Sequence, residues 1–227
     1  GLTKVKLSES LIMIGSGAFA YCFNLVDITI PDSCVLVEFN AFSNCFSLEG
    51  VKLSCNMGLI DESTFEGCRS LKYVDLPTKL VKIGRRAFKG CSSLTSIVVE
   101  SGNTYYDSRE DCNAIIETKS NILITGCVNT VLVNSVTGIG DYAFLGCSGL
   151  STINIPASIT SIGKDAYNYC SNLTSVYLNA TSHVKINSSS TFGSSLVFVP
   201  SDLFDTYKTM EYWSEIYKNG KLLSNTD

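Results

Sequence analysis

The stretch IGSGAFAYCFNLVDITIP (Ile14–Pro31) admits two readings. A Gly-Ser-Gly turn followed by a small residue and an apolar run is the kind of segment that cradles phosphate on backbone N–H groups at a helix start. The same letters also suit one turn of a structure that needs a small residue, an aromatic and a thiol at fixed spacing. Recurrence decides between them. From Phe19 a step of 23 residues reaches Phe42, Phe65 and Phe88; from Cys22 it reaches Cys45, Cys68 and Cys91; from Leu25 it reaches Leu48, Leu71 and Leu94. The pattern resumes with Phe144, Cys147 and Leu150, then Tyr167, Cys170 and Leu173. Six units share the form I-G-x-x-A-F-x-x-C-x-x-L-x-x-I-x-I-P, and Leu2, Val5 and Leu7 supply half a unit before them. Gly17 is replaced by Asn40, Ser63, Arg86, Tyr142 and Asp165 in the later units, so the phosphate loop is dismissed. A fixed period of this length is the signature of a solenoid.

Composition sets the bounds. The chain has 227 residues, 45% hydrophobic and 17% charged, which is ample for a core. Net charge is −4, with no basic run of the density a nucleic-acid face requires. No apolar run approaches eighteen residues, so no transmembrane helix is expected. The opening GLTKVKL has neither an initiator Met nor a signal-peptide pattern, as expected of a mature or trimmed chain, so destination has to be inferred indirectly.

Within a unit, LVDITIP is a short strand with Leu25, Ile28 and Ile30 inward and Asp27 and Thr29 outward, closed by Pro31, which has no N–H to donate. Stacked coils place equivalent strands in parallel about 4.8 Å apart, and each coil buries its apolar face against its neighbours. The AFxxC segment is too short for an ordinary helix and is expected to return as a 3₁₀ or single helical turn. Its aromatic rings stack into a spine. The periodic cysteines behave as small buried hydrophobes, because equivalent Cβ atoms one strand spacing apart are too distant for a good disulfide. Cys34, Cys55, Cys112 and Cys127 lie off the period and are the places where a disulfide is left open. Nothing in the sequence calls for a metal or cofactor.

Two places depart from the period. Ile83 and Ile139 are 56 residues apart, 23 plus 33, so one coil is enlarged; AIIE and NILIT around a polar TKS turn predict a hairpin, with the ladder re-entering at Val131–Val133 and SVTGIG. The acidic residues Asp107, Glu110 and Asp111 before it lack a calcium-loop pattern and suit a solvated turn. At the C-terminus Leu196 keeps the leucine register. Leu203, Tyr207, Met210, Trp213 and Tyr217 follow helical spacing, with Ser201 as cap and Trp213 plugging the last coil. The expected organisation is one domain: residues 1–200 a solenoid, with the hairpin at about 100–130, and residues 201–227 its helical cap.

The six units, exemplified by IGDYAFLGCSGLSTINIPASITSIG (Ile139–Gly163), resemble the BspA-like leucine-rich repeats of bacterial surface proteins, also found in some parasitic protists. YYDSREDCNAIIETKSNILITGC and VFVPSDLFDTYKTMEYW are similar to segments of that family. The resemblance implies a β-rich, right-handed leucine-rich repeat solenoid with a parallel β-sheet on one face and short turns on the other. It also implies an exported, extracellular or cell-surface protein that adheres to a host protein or extracellular matrix; it supplies no catalytic residues. VEFNAF and IDESTF in the second and third units lack the turn glycine, a matter of local geometry.

The strand register places Lys4, Lys6, Asp27, Thr29, Lys52, Tyr73, Asp75, Asn154 and Tyr177 on the outer face, the candidate partner-binding surface, with the two tyrosines as anchors because interface hot spots favour that residue. The competing reading of those tyrosines is ordinary cross-strand packing. A protein-binding module, expected as a monomer, is the leading function, and a structural spacer presenting another domain is the alternative. An enzyme is disfavoured: His183 is the only histidine, in a Ser/Thr-rich stretch with no evident nucleophile. Sequons at Asn172 and Asn179 matter only in a source that glycosylates them.

Overall fold

In the computed structural model, which describes residues 1–226, the step of 23 residues is one turn of a parallel β-solenoid. The first half contains β1 (Met13–Ile14), β2 (Asp27–Thr29), β3 (Leu36–Val37), β4 (Gly50–Lys52), β5 (Leu59–Ile60), β6 (Tyr73–Leu76), β7 (Lys82–Ile83) and β8 (Ser96–Val99). Two sheets result, β2-β4-β6-β8 and β1-β3-β5-β7, in the register the repeat dictates: Asp27 faces Gly50, which faces Tyr73, which faces Ser96. The enlarged coil holds β9 (Tyr106–Asp107), β10 (Ala114–Glu117) and β11 (Ile122–Gly126); the second half holds β12 (Gly138–Ile139), β13 (Thr152–Ile155), β14 (Ser161–Ile162), β15 (Ser175–Leu178), β16 (Lys185–Ile186) and β17 (Leu196–Val199). Two short helices, α1 (Phe204–Tyr207) and α2 (Trp213–Lys218), and β18 (Leu222–Ser224) close the chain.

The aromatic spine is present. Phe19, Phe42, Phe65 and Phe88 stack with centroids 5.2, 5.4 and 5.5 Å apart and planes within 10°. Phe144 and Tyr167 stack at 4.9 Å, and Phe192 extends the run at 6.1 Å. The thiols make a second ladder. Cys45 Sγ–H donates to the Phe19 carbonyl of the preceding coil at 3.1 Å, Cys68 to Phe42 at 3.2 Å, Cys91 to Phe65 at 3.2 Å and Cys170 to Phe144 at 3.1 Å. All ten cysteines are unpaired thiols, including Cys34, Cys55, Cys112 and Cys127.

The AFxxC segments are not helical, contrary to the expectation of a 3₁₀ or single helical turn. Three-residue hydrogen bonds do form, as from Ala18 to Gly15 and from Cys22 to Phe19, but the intervening N–H groups point out of the coil. Gly17, Phe19 and Tyr21 donate instead to Phe39, Ala41 and Ser43 of the next coil. Positive φ makes this alternation possible. Gly17, Asn40, Ser63, Arg86, Tyr142 and Asp165 all adopt it, and so do Tyr21, Asn44, Gly67, Gly90, Gly146 and Tyr169 four residues later. Gly17 thus belongs to a recurring conformation, although its residue type does not recur.

The enlarged coil divides the molecule. β10 and β11 form the expected antiparallel hairpin, joined by β9, and β11 continues in parallel into β12. Val131–Val133 forms no strand, and the ladder re-enters at β12, within SVTGIG. Neither sheet of the first half hydrogen-bonds as a sheet to the second. Side chains cover the edge of β8 instead: the Ile97 N–H donates to Asn113 Oδ1 at 2.7 Å, Asn113 Nδ2 to the Thr95 carbonyl at 2.7 Å, and the Val99 N–H to Ser108 Oγ at 3.0 Å. There are accordingly two cores, and β10 is the wall between them, with Ile115 in the first and Ala114 and Ile116 in the second. The unbroken apolar run AII reflects a strand buried on both faces.

The helix predicted over 201–220 is in two pieces, because Tyr212 turns at φ 62 before α2, and Ser201 makes no capping hydrogen bond. Trp213 plugs the end. It is fully buried, donates Nε1–H to the Val184 carbonyl at 2.8 Å, and contacts the rings of Phe192 and Tyr207. β18 adds to β17 as a last parallel strand. Leu196 does not keep the leucine register: it pairs with Ser175 and is exposed, because the last coil reaches its strand two residues early.

Candidate functional site

The outer face of β2, β4, β6 and β8 follows from alternation. Ile28, Val51, Val74 and Ile97 face the core, which turns Asp27, Thr29, Lys52, Tyr73, Asp75 and Val98 to solvent. These side chains, Val98 aside, line a shallow groove of about 960 Å³ that runs across three coils. Five of the nine candidate residues, Asp27, Thr29, Lys52, Tyr73 and Asp75, are thereby brought together. Lys4 extends the face at its first edge through an isolated parallel bridge to Asp27, and Lys6 is exposed beyond it.

Tyr73 stands at the centre. It remains 52% exposed although its ring lies across the neighbouring coil, where Gly50 has no side chain: a Cβ at Gly50 would sit 2.7 Å from the Tyr73 hydroxyl. Glycine opposite tyrosine in register was the sequence signal for this seat. Charges frame the groove in both signs. Lys72 pairs with Glu49 at 2.6 Å, and Asp32 accepts from the Cys55 N–H at 2.9 Å, a hydrogen bond that holds its carboxyl below the usual range.

Asn154 and Tyr177 lie elsewhere, on the sheet β13-β15-β17-β18, so the single candidate row is in fact two faces. Tyr177 is half-buried and stacked on Phe198 at 4.6 Å, the ordinary packing alternative. Phe198 sits in the compressed last coil, where the period cannot locate it.

The remaining chemistry-bearing groups are engaged in structure. Burial pushes the ladder thiols up, Cys45 and Cys91 to about 12 and Cys170 to about 11, far from the thiolate a nucleophile needs. His183 is exposed, its ring edge-on to Tyr207 at 5.8 Å. Asp107 is held by Arg109 through Nη2 at 2.5 Å and Nε at 2.7 Å, and Glu110 accepts from Ser135 at 2.6 Å. Among the described residues no helix is long and apolar enough to cross a membrane.

Comparison with known proteins agrees with this architecture. A family model described as BspA type leucine rich repeat region matches six copies over residues 1–113 and 123–208. Among solved structures, a leucine rich cell surface protein from Faecalibacterium prausnitzii is similar at 23% identity and a TM-score of 0.59, over 86% of this chain and 65% of that one. A leucine-rich repeat protein from Eubacterium ventriosum is similar at 17% identity and a TM-score of 0.56, over 83% of this chain and 63% of the other. This chain therefore spans somewhat under two thirds of those proteins' length. No curated protein matches.

Proposed function

The chain belongs to the BspA-type leucine-rich repeat family, and from that premise we propose that it is a protein-binding module of a cell-surface or secreted protein, adhesin-like and without chemistry of its own. The observation that carries this is the groove centred on Tyr73: a large, half-exposed aromatic on a rigid strand face, ringed by Asp27, Thr29, Lys52 and Asp75. Tyrosine on a preorganised surface offers contact area with little rotamer entropy to lose, which is why such residues anchor interfaces. Mixed charge around it suits a polar rim and a protein or matrix partner more than a polyanion.

The test is capture from a panel of extracellular-matrix and host-surface proteins by the purified protein, repeated with Tyr73→Ala and Lys52→Ala. Tyr73→Ala is expected to weaken capture by more than about tenfold, the scale of a hot-spot truncation, while the thermal midpoint stays in place. Binding that survives both substitutions would remove this face from consideration. A panel without any ligand would favour the spacer instead.

A further inference from the structure

The break between the two halves contains a cavity of about 270 Å³. Phe88, Cys91, Leu94, Tyr106, Gly126 and Cys147 are among its lining residues. Phe88 is stacked on Phe65 on one side and on no ring on the other among the described residues; Phe144 lies over Gly126 instead, where a Cβ would clash with its ring. Phe88 is 6% exposed, against 0% for Phe42 and Phe65 and 1% for Phe144.

The backbone is also incomplete there. In most other coils the equivalent N–H groups donate across to the next coil: Asn40 to Glu62 and Phe42 to Thr64, Ser63 to Arg85 and Phe65 to Ala87, Tyr142 to Lys164 and Phe144 to Ala166; in the coil after that Tyr167 donates to Thr191 while Asp165 has no acceptor among the described residues. The counterparts at the break are the N–H groups of Arg86 and Phe88, and neither has a hydrogen-bond acceptor among the described residues. The acceptor that register assigns to Phe88, the Ala143 carbonyl, is taken by the Gly126 N–H at 2.9 Å. Only the last bond of the set, Gly90 to Leu145, crosses the break. Phe88 is buried, where an unmade donor costs free energy unless something fills the place of the lost acceptor, whereas Arg86 is exposed.

The mouth is charged. Lys89 is occupied by Glu66 at 2.7 Å, but Arg85 reaches Asp141 only at 3.6 Å and Arg86 reaches the Tyr142 hydroxyl only at 3.4 Å, and Glu117 also lines the cavity. Both guanidiniums therefore retain donors for a second partner.

We propose that this break is a binding site for a small planar aromatic carboxylate, whose ring stacks on the free face of Phe88 and whose carboxylate accepts from the Arg86 and Phe88 N–H groups and an arginine at the mouth. The size is adequate, since a cavity of about 150 Å³ already admits benzene. The occupant restores both things the enlarged coil lacks, a ring in the spine and an acceptor in the ladder. This site is independent of the Tyr73 groove.

Calorimetric or NMR titration of the intact protein with benzoate, cyclohexanecarboxylate and toluene tests it. Benzoate is expected to bind about tenfold more tightly than either of the others, the scale of one ring stack or one charge-assisted hydrogen bond, with NMR shifts centred on the Arg86 and Phe88 amides. Arg86→Gln, a change at an exposed side chain, is expected to weaken benzoate by about fivefold and leave toluene unaffected. No binding by benzoate at millimolar concentration overturns the proposal. So does equal binding of cyclohexanecarboxylate or toluene, or binding whose shifts fall outside the break.

Discussion

A buried ring inside the spine is held by a ring on either side, so its loss is felt twice. Phe65 is fully buried between Phe42 and Phe88. Phe65→Ala is expected to lower stability by about 3–5 kcal/mol, and Phe19→Ala by less, because Phe19 is only half-buried at the first coil; urea denaturation of the two variants checks the order. The thiols add a pH dependence of definite sign. Burial raises Cys45 and Cys91 to about 12 and Cys170 to about 11 in the folded chain, against about 8.5 when unfolded. Their contribution is therefore complete below about pH 8.5 and is lost as pH climbs toward the folded values. Thermal midpoints measured from pH 7 to 11 are expected to fall only on the alkaline side. A thiol reagent at pH 8 should label Cys55 readily, Cys22 slowly and the buried eight only on unfolding.

At the scale of the element, the decisive device is side chains in place of a missing strand. Asn113 both accepts from the Ile97 N–H and donates to the Thr95 carbonyl, so one amide mimics two rungs of a ladder along β8. Asn113→Ala leaves a buried donor unpaired and is expected to cost about 1–3 kcal/mol, with hydrogen exchange at Ile97 accelerated and exchange at Ile28, three coils away, unchanged. Uniform acceleration along the sheet would show that the edge is not covered locally. The same economy operates at Ile83, whose N–H donates to the Tyr106 hydroxyl at 3.1 Å where the next coil has no backbone acceptor. An exposed sheet edge invites pairing with other chains, and these contacts blunt it.

For the molecule as a whole, two cores separated by β10 imply two cooperative units rather than one, since stability in a solenoid is a sum of neighbour terms and the neighbour term is thinnest at the break. Trp213, the single tryptophan, reports only the second core. In Phe65→Ala, far-UV circular dichroism is expected to show an early transition that tryptophan fluorescence does not follow. Superimposable transitions by the two probes would show that the halves unfold together despite the break.

The sequence by itself determined the solenoid, its pitch, the inward and outward residues of the strands that keep the period, and the ring and thiol ladders, because every one of these follows from identical coils stacked in register: Phe42 must lie over Phe65 once Cys45 lies over Cys68; the plug at Trp213 was legible from the apolar spacing beyond the last coil. It also showed that Tyr73, Lys52 and Asp75 face outward. Only the tertiary structure decided what happens where the period fails. It sent the N–H groups of Gly17 and Tyr21 to the next coil instead of into a helix, divided the sheet so that Asn154 and Tyr177 left the Tyr73 groove, and turned Leu196 outward. It also took the Ala143 carbonyl from Phe88 and gave it to Gly126. The physical reason is common to all of these. A repeat encodes contacts between equivalent positions, whereas inserted or deleted residues have no equivalents, and their partners are settled by which donor reaches an acceptor first in the folded chain.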